Sequence, residues 1–402
     1  MKQKVIIIGH GYTSRLCVIR SVAQLGCDIT VIVIAGKKKD GSLNTKKPID
    51  CYSKYVNRIL YCENDADMLI QLLLEKCVDS NQKVIIIPDS DFSAVVIDSN
   101  QDKLKEHFLF PHINHEQGAV MKWMNKEKQK EMAMSVGLNV AESISVEIKD
   151  GKYLFPKHVH YPCFTKTQLF LNRNKQTLKR CNNSDELQKN LDKISLEYGN
   201  LTIMIEEYKK IEKEYAVLGF SDGREVIIPG VIQILNIAHG VHYGVACRGK
   251  VMPVDGFEEQ IEKFKQFVLK VGFVGVFDID FYLSDGIFYF CELNLRIGGS
   301  CYAITKMGVN LPAMLVKCLS GENIGSMSKE IKESAVFVNE RMCLDDWYYR
   351  DISTKEYYMI MESSNISFIK EKDDDGPYKA YKGEFRKRQI KRVIKKIIRY
   401  ED

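Results

Sequence analysis

The sequence lacks paired cysteines: twelve are scattered through 402 residues with no C-x-x-C among them. Neither a zinc framework nor a thioredoxin-type redox centre is encoded, and the cysteines read as reduced, buried thiols of a cytoplasmic protein. No apolar run approaches the ~18 residues of a spanning helix. The apolar stretch in "MKQKVIIIGH" is too short for a signal peptide. A large excess of one charge is also missing. Lys and Arg number 58 against 53 Asp and Glu, and the formal net charge of +5 does not by itself imply a nucleic-acid partner. No internal repeat of fixed period is visible. What is present is 45% hydrophobic content in a chain long enough for two or three packed units.

"KVIIIGHGYTSRLCVIRSVAQLGCDITVIVIAG" reads as a buried strand, a glycine turn, an amphipathic helix and a second buried strand, and "NQKVIIIPDSD" adds another strand with acids just beyond its end. Residues 1–118 are therefore expected to form an open parallel sheet with helices on its faces. The turn G-H-G-Y-T-S has no third glycine and no acid closes "TVIVIAGKKK", so a nicotinamide site is poorly supported. Its backbone N–H groups are able to hold a substrate carboxylate or phosphate, although a plain tight turn explains it equally well. Beyond it, a helix starting at Lys126 and stopping at Gly137 is followed by a strand-rich α+β region. This contains "YPCFTKT", a helix after Asn182-Asn183-Ser184, "LTIMIEEYKKIEKEYAVLGFSDGREV", and an amphipathic helix over 259–271.

The chemistry gathers in "VGVFDIDFYLSDGIFYFCELNLRIGGS". Side chains alternate along a strand, so Glu292, Asn294 and Arg296 share one face while Leu293, Leu295 and Ile297 share the other. A three-residue loop Ser284-Asp285-Gly286 predicts Leu283 facing Ile287 and Asp278 directly opposite Glu292. Asp278 and Asp280 then lie on the polar face, with Tyr289 and Cys291 among the apolar set. Opposed carboxylates repel, and a hard divalent cation resolves the conflict. Asp278, Glu292 and Asn294 suit Mg²⁺ (or Mn²⁺), which takes its remaining ligands from water and phosphates. Arg296 can stabilise charge on a transferring phosphoryl group.

The hairpin, "ELNLR" and Gly298-Gly299 resemble the metal and phosphate site of the ATP-grasp superfamily, in the branch containing carbamoyl-phosphate synthetase, biotin carboxylase and D-aspartate ligase. The resemblance runs to about residue 320. It implies an α/β ATP-grasp fold, with an N-terminal open parallel-sheet domain and two α+β subdomains clasping ATP. The division it suggests is 1–118, 119–208, 209–322 and a C-terminal extension, 323–402. It implies nucleotide phosphates at Lys126 and Lys166, adenine at Glu206, Glu207 and Tyr208, and ribose hydroxyls at Glu214. Lys166 and Arg296 would act on the transferring group. The segment "TQLFLNRNKQTLKR" has no glycine, so the lid over the phosphates is expected to be basic, through Arg173, Lys175, Lys179 or Arg180. The implied activity is ligation of a small carboxylate to an amine with ATP and Mg²⁺ as cofactors, in cell-envelope or polysaccharide synthesis. The alternative is a nucleotide-binding regulatory protein without turnover.

Arg248 is a candidate anion contact or a surface arginine. His239 and His242, and His112 and His115, have i, i+3 spacing but no helical flanks or cysteine cluster, which argues against a metal. In the tail "RKRQIKRVIKKIIRY", Ile390, Val393, Ile394, Ile397 and Ile398 recur at helical spacing among eight basic residues. This is the pattern of a helix that lies on an anionic bilayer or packs on its own domain. Small-molecule substrates, no nucleic acid, a peripheral membrane contact through this tail and a homodimer are the partner expectations.

Overall fold

The computed structural model describes residues 2–10, 13–168, 177–239 and 245–398. Strands β1 (Lys4–Gly9), β2 (Asp28–Ala35), β3 (Val56–Glu63), β4 (Val84–Pro88) and β5 (Phe108–Leu109) form a parallel sheet in the order β3-β2-β1-β4-β5. Beyond the exposed Lys4, the central strands β1 and β4 are apolar because helices cover both faces, and residues 5–8 and 84–87 are at most 2% exposed. Strand order reverses between β1 and β4. The crevice at the carboxyl ends there is where open parallel sheets receive ligands. Gly9, Asp89 and Asp91 sit at that edge.

Two short strands, β6 (His112–Ile113) and β7 (Asn139–Val140), leave this unit for a larger sheet. Between them the helix Lys126–Ser135 starts on Asn125, whose side chain accepts the amides of Glu127 and Lys128. An antiparallel four-stranded sheet follows in the order β10-β9-β11-β8: β8 (Ser143–Ile148), β9 (Cys163–Thr167), β10 (Lys179–Cys181) and β11 (Leu201–Glu207). The helix Ser184–Tyr198, capped by Asn183, packs Leu187, Leu191 and Ile194 against it.

The large sheet is built from β12 (Lys213–Asp222), β13 (Val226–Ile227), β14 (Val231–Ile237), β15 (Ala246–Met252), β16 (Phe273–Ser284), β17 (Ile287–Asn294), β18 (Ala335–Val338) and β19 (Ile366–Ser367), joined by β6 and β7. Its order is β19-β18-β15-β14-β12-β16-β17-β7, with β13 on β12. On one face the helix Glu258–Val271 buries Ile261, Phe264, Phe267, Val268 and Val271 at helical spacing against Phe277, Ile279, Phe281 and Leu293. At ~1.5–3 kcal/mol per buried large side chain, this contact anchors the sheet. The opposite face carries the polar hairpin residues.

The C-terminal region closes the edge of this sheet. β18 pairs with β15 and β19 runs parallel to β18. The buried Glu340 carboxylate accepts backbone N–H groups of Phe368, Ile369 and Lys370 and so fixes the return of the chain. The buried Arg20 binds Asp374 at 2.9 Å and the carbonyls of Phe368 and Ile369, tying the extension to the parallel sheet. The final helix, Gly376–Ile398, packs Tyr381 and Phe385 against Tyr357 and Trp347, and lays Arg392 over the Trp347 ring at 4.2 Å.

Candidate active site

The hairpin departs from its expected register while keeping its expected polar face. Its tip is a two-residue turn, Asp285-Gly286, both at positive φ (50° and 74°), so Ser284 pairs with Ile287 and Leu283 with Phe288. Unbroken alternation from such a turn would send Glu292 into the core. A bulge at Cys291 prevents this: Phe281 pairs with Phe290, but Asp280 pairs with Glu292 and Asp278 with Asn294. The three-residue loop and the Asp278–Glu292 opposition are therefore corrected, and Asp280 is the residue facing Glu292. Tyr289 and Cys291 are corrected as well. Tyr289 stacks on Tyr282 at 5.5 Å on the polar side, leaving Phe290 buried in the core.

Burial sets the electrostatics of this face. It pushes the Asp278 carboxyl up to about 7 against the pull of Arg296, and it raises Asp280 with the help of Asp278 and Glu292. Asp278 Oδ1 is buried without a hydrogen-bond partner, and a Cβ on Gly298 would overlap Oδ2 of the same carboxylate. Asn294 Nδ2 reaches Asp280 Oδ2 at 3.4 Å. Burial also works against ionised Glu292, but Lys126, whose Nζ lies 2.9 Å from Oε2, holds it below the ordinary carboxylate range. Among the described residues no three His, Cys, Asp or Glu side chains are placed to hold an ion by themselves. The Asp280, Glu292 and Asn294 oxygens, with the orphaned Asp278 oxygen beside them, suit a cation that takes its other ligands from water and phosphate, as Mg²⁺ does.

A second cluster faces this one from the four-stranded sheet. Glu206 Oε2 lies 2.8 Å from Lys166 Nζ and also pairs with Lys130. Lys130 further donates to Ala141 O at 2.8 Å and Ser143 Oγ at 3.0 Å. Glu206 is thus engaged by two lysines at the end of β11. Burial would raise Glu206, yet Lys166 and Lys130 lower it. Burial lowers Lys130, and the Lys166 charge adds to this. The lysine helix is held in place by Gln129, which bonds Leu293 in both directions and the Trp123 carbonyl. Lys130 was missed in the sequence reading, although it lies one helical turn from Lys126 and so shares its face.

At the hinge, Glu207 accepts from Lys209 at 2.6 Å, and Tyr208 N–H donates to Pro162 O at 3.0 Å. The guanidinium of Arg180 lies 4.2 Å from the Tyr208 ring centroid. Glu214 stands beside Tyr282, and burial raises its pKa. Arg173, Lys175 and His242 lie outside the described residues. Arg248 donates to Ser363 Oγ at 2.9 Å. His239 bonds Asp346, and His112 stacks on His115 at 3.6 Å between ring centroids.

The parallel sheet supplies a residue that sequence reasoning did not assign. Arg296 Nε donates to Asp91 Oδ1 at 2.6 Å, across 205 positions of sequence. Burial opposes the Arg296 charge, but Asp91, Asp278 and Asp89 raise its pKa above the ordinary arginine value. The site therefore assembles where all three sheets meet.

No family model matches the chain. It is 21% identical over 212 residues to the carbamoyl phosphate synthase large chain of Neisseria meningitidis serogroup B, covering 51% of this chain and 19% of that protein. The chain thus spans about a fifth of the length of such curated relatives. Among solved structures it is similar to N5-carboxyaminoimidazole synthetase from Staphylococcus aureus, with a TM-score of 0.60, 17% identity, and 84% and 82% of the two chains covered. It is likewise similar to an L-amino acid ligase from Bacillus licheniformis, with a TM-score of 0.60, 15% identity, and 84% and 80% covered.

Proposed function

The chain has the ATP-grasp fold, and from that premise we propose that it is an ATP-dependent carboxylate–amine ligase. The observation that carries the reading is the bulged hairpin. It presents two opposed carboxylates, an amide and an arginine to a basic cleft, and an unliganded scaffold gains nothing from opposing Asp280 to Glu292. Phosphoryl transfer asks the protein for positioning and charge neutralisation, and this arrangement offers both. Lys166 and Lys126 line the phosphate side, and Arg296 steadies negative charge on the transferring group. Asp280, Glu292 and Asn294, with Asp278 behind them, would hold Mg²⁺, which supplies charge neutralisation to the phosphates when bound. Glu207, Tyr208 and the Tyr282–Tyr289 stack border the base, and Glu214 the ribose. The carboxylate is activated as an acyl phosphate, and an amine displaces the phosphate to give an amide, ADP and phosphate.

The units assigned are the parallel sheet (1–118), the lid subdomain (119–208), the metal-bearing subdomain (209–322) and the extension (323–402). Among the described residues no helix is long and apolar enough to cross a membrane. The exposed Lys382, Arg386, Lys387, Ile390 and Lys391 of the last helix support contact with an anionic bilayer. Co-sedimentation with anionic vesicles that survives Lys387→Glu with Lys391→Glu would sink that contact.

The activity is tested by ADP release from Mg-ATP, with pooled small carboxylates crossed against pooled amino acids and amino sugars. Release that needs both pools and is lost in Glu292→Gln is the expected result. Nucleotide binding without release from any combination would favour the regulatory alternative.

A further inference from the structure

Lys126 stands at the seam between the metal face and the phosphate side of the cleft. Its Nζ lies 2.9 Å from Glu292 Oε2, and the two side chains are 15% and 18% exposed. Among the described residues it alone forms an ion pair with the carboxylates of that face, Asp278, Asp280 and Glu292. The other cations of the cleft are held elsewhere: Arg296 by Asp91 at 2.6 Å, Lys166 by Glu206 at 2.8 Å, and Lys130 by the same Glu206. The Glu292 carboxylate, which would ligate a divalent ion, is therefore already in contact with an ammonium.

The backbone under Lys126 is fixed by groups other than its own side chain. Asn125 caps the helix, and Gln129 bonds both the N–H and the carbonyl of Leu293. The ammonium, by contrast, ends a flexible four-carbon stem with rotatable donors, so it can leave Glu292 without moving the helix. A cleft bordered by Asp91, Lys126, Glu292, Asn294 and Arg296 opens beside the pair and gives the side chain room to turn. A dication and an ammonium on one partly buried carboxylate stand a few ångströms apart and repel far more strongly than in bulk water. The two do not share Glu292. An ammonium displaced within a partly buried cleft needs another anion, and the nucleotide phosphates are the anions that this cleft would receive.

We propose that Lys126 is the resident counter-ion of the metal site: its ammonium neutralises Glu292 until a divalent cation displaces it, and it then turns to the nucleotide phosphates. This exchange rests on the ligase reading for the metal and the phosphates, and adds the coupling between them. Metal alone must evict the ammonium with nothing to receive it, and binds weakly. Nucleotide draws the ammonium off Glu292 and strengthens metal binding, and linkage requires metal to strengthen nucleotide binding by the same factor.

The test titrates Mn²⁺, read by electron paramagnetic resonance, into the full chain with and without ADP. Without ADP, Lys126→Met is expected to bind Mn²⁺ about tenfold or more tightly than wild type, because the competing charge is gone. Lys126→Arg, which keeps that charge, should stay close to wild type. So should Lys130→Met, which removes the same charge one helical turn away. ADP should tighten Mn²⁺ binding more in wild type than in Lys126→Met, and Glu292→Gln should weaken it in either state. Unchanged or weaker Mn²⁺ binding by Lys126→Met, or an equal gain from Lys130→Met, would overturn the exchange; if Glu292→Gln still weakens binding, the ligase reading stands. No Mn²⁺ binding by wild type with ADP present would remove the ligase reading, and the exchange with it. Should Lys126→Met fail to fold, the wild type decides. Saturating Mg²⁺ alone should raise acetylation of Lys126 by acetic anhydride severalfold relative to Lys130, read by peptide mass spectrometry, and ADP should reverse the rise. A Lys126 yield indifferent to Mg²⁺ overturns the exchange.

Discussion

Replacing Asp278 by Asn should make the metal-free protein more stable at pH 8 and leave it nearly unchanged at pH 4. The Asp278 carboxyl is buried, has one unpartnered oxygen, and is pushed up to about 7 from an ordinary 3.8. For an acid whose folded pKa is raised, the native state keeps a proton that the unfolded chain releases. Its contribution is present below the unfolded value, is lost as pH rises through the window from about 4 to 7, and is flat above it. That rise from 3.8 to about 7 corresponds to a ceiling of ~4 kcal/mol. Sharing of charge with Asp280 and Glu292 reduces what one substitution recovers, so a gain of roughly 1–3 kcal/mol at pH 8 is expected. Urea unfolding in EDTA, followed by tryptophan fluorescence, measures it, because Trp123 lies in the core beneath the hairpin. Wild-type and variant stabilities that run parallel from pH 4 to pH 8 would refute the electrostatic account of the site.

Mg²⁺ should raise the wild-type unfolding midpoint at pH 8 by the equivalent of ~2.7 kcal/mol at a hundredfold excess over its dissociation constant, and Asp280→Asn should abolish that rise in a thermal-shift titration. Arg296→Lys should lower kcat ~10²–10³-fold with ATP binding retained by calorimetry, because a lysine cannot reproduce both the Asp91 contact and a donor to the transferring group. Gly298→Ala should remove turnover while leaving the circular-dichroism spectrum native, since its Cβ would displace Asp278 rather than disturb the aromatic core. Lys130→Met should raise the KM for ATP about tenfold, as Glu206 would then draw Lys166 away from the phosphates.

The parts of the fold that were legible are those where burial is one-sided or total. β1, β2 and β4 announce themselves as apolar runs, and the helix Glu258–Val271 as a stripe at helical spacing. β3, "VNRILYCE", went unread because it is an edge strand with one fully buried residue, Cys62, and so shows neither a buried run nor a clean alternation. In the hairpin the polar face was legible from Glu292, Asn294 and Arg296, but the register was not. "IFYF" presents apolar groups to both sides, so hydrophobic pattern does not distinguish a straight strand from a bulged one. Asp91 was legible only as an acid beyond a strand end, without a role, because its partner is remote in sequence, and Glu340 escaped notice because a lone acid gives no hint that three backbone amides will surround it. The extension ahead of its last helix was unreadable for the same reason: its return past Phe368 and Ile369 is specified by contacts with Arg20, not by periodicity.

The extra residue at Cys291 works like a frame-shift written into the strand. On the tip side of Cys291, side chains are phased to the turn; on the other side they are phased to the nucleotide cleft. Straightening the strand with Cys291 drawn into the ladder would leave every residue in the sequence yet rotate Glu292, Asn294 and Arg296 into the aromatic core and bring Leu293 and Leu295 out to the cleft. The same offset insulates the chemistry from the tip. Changes at Asp285 and Gly286 that preserve the phase of Phe290 leave the cleft untouched, so the exposed end of the hairpin is free to diverge while the residues that meet the nucleotide stay in step.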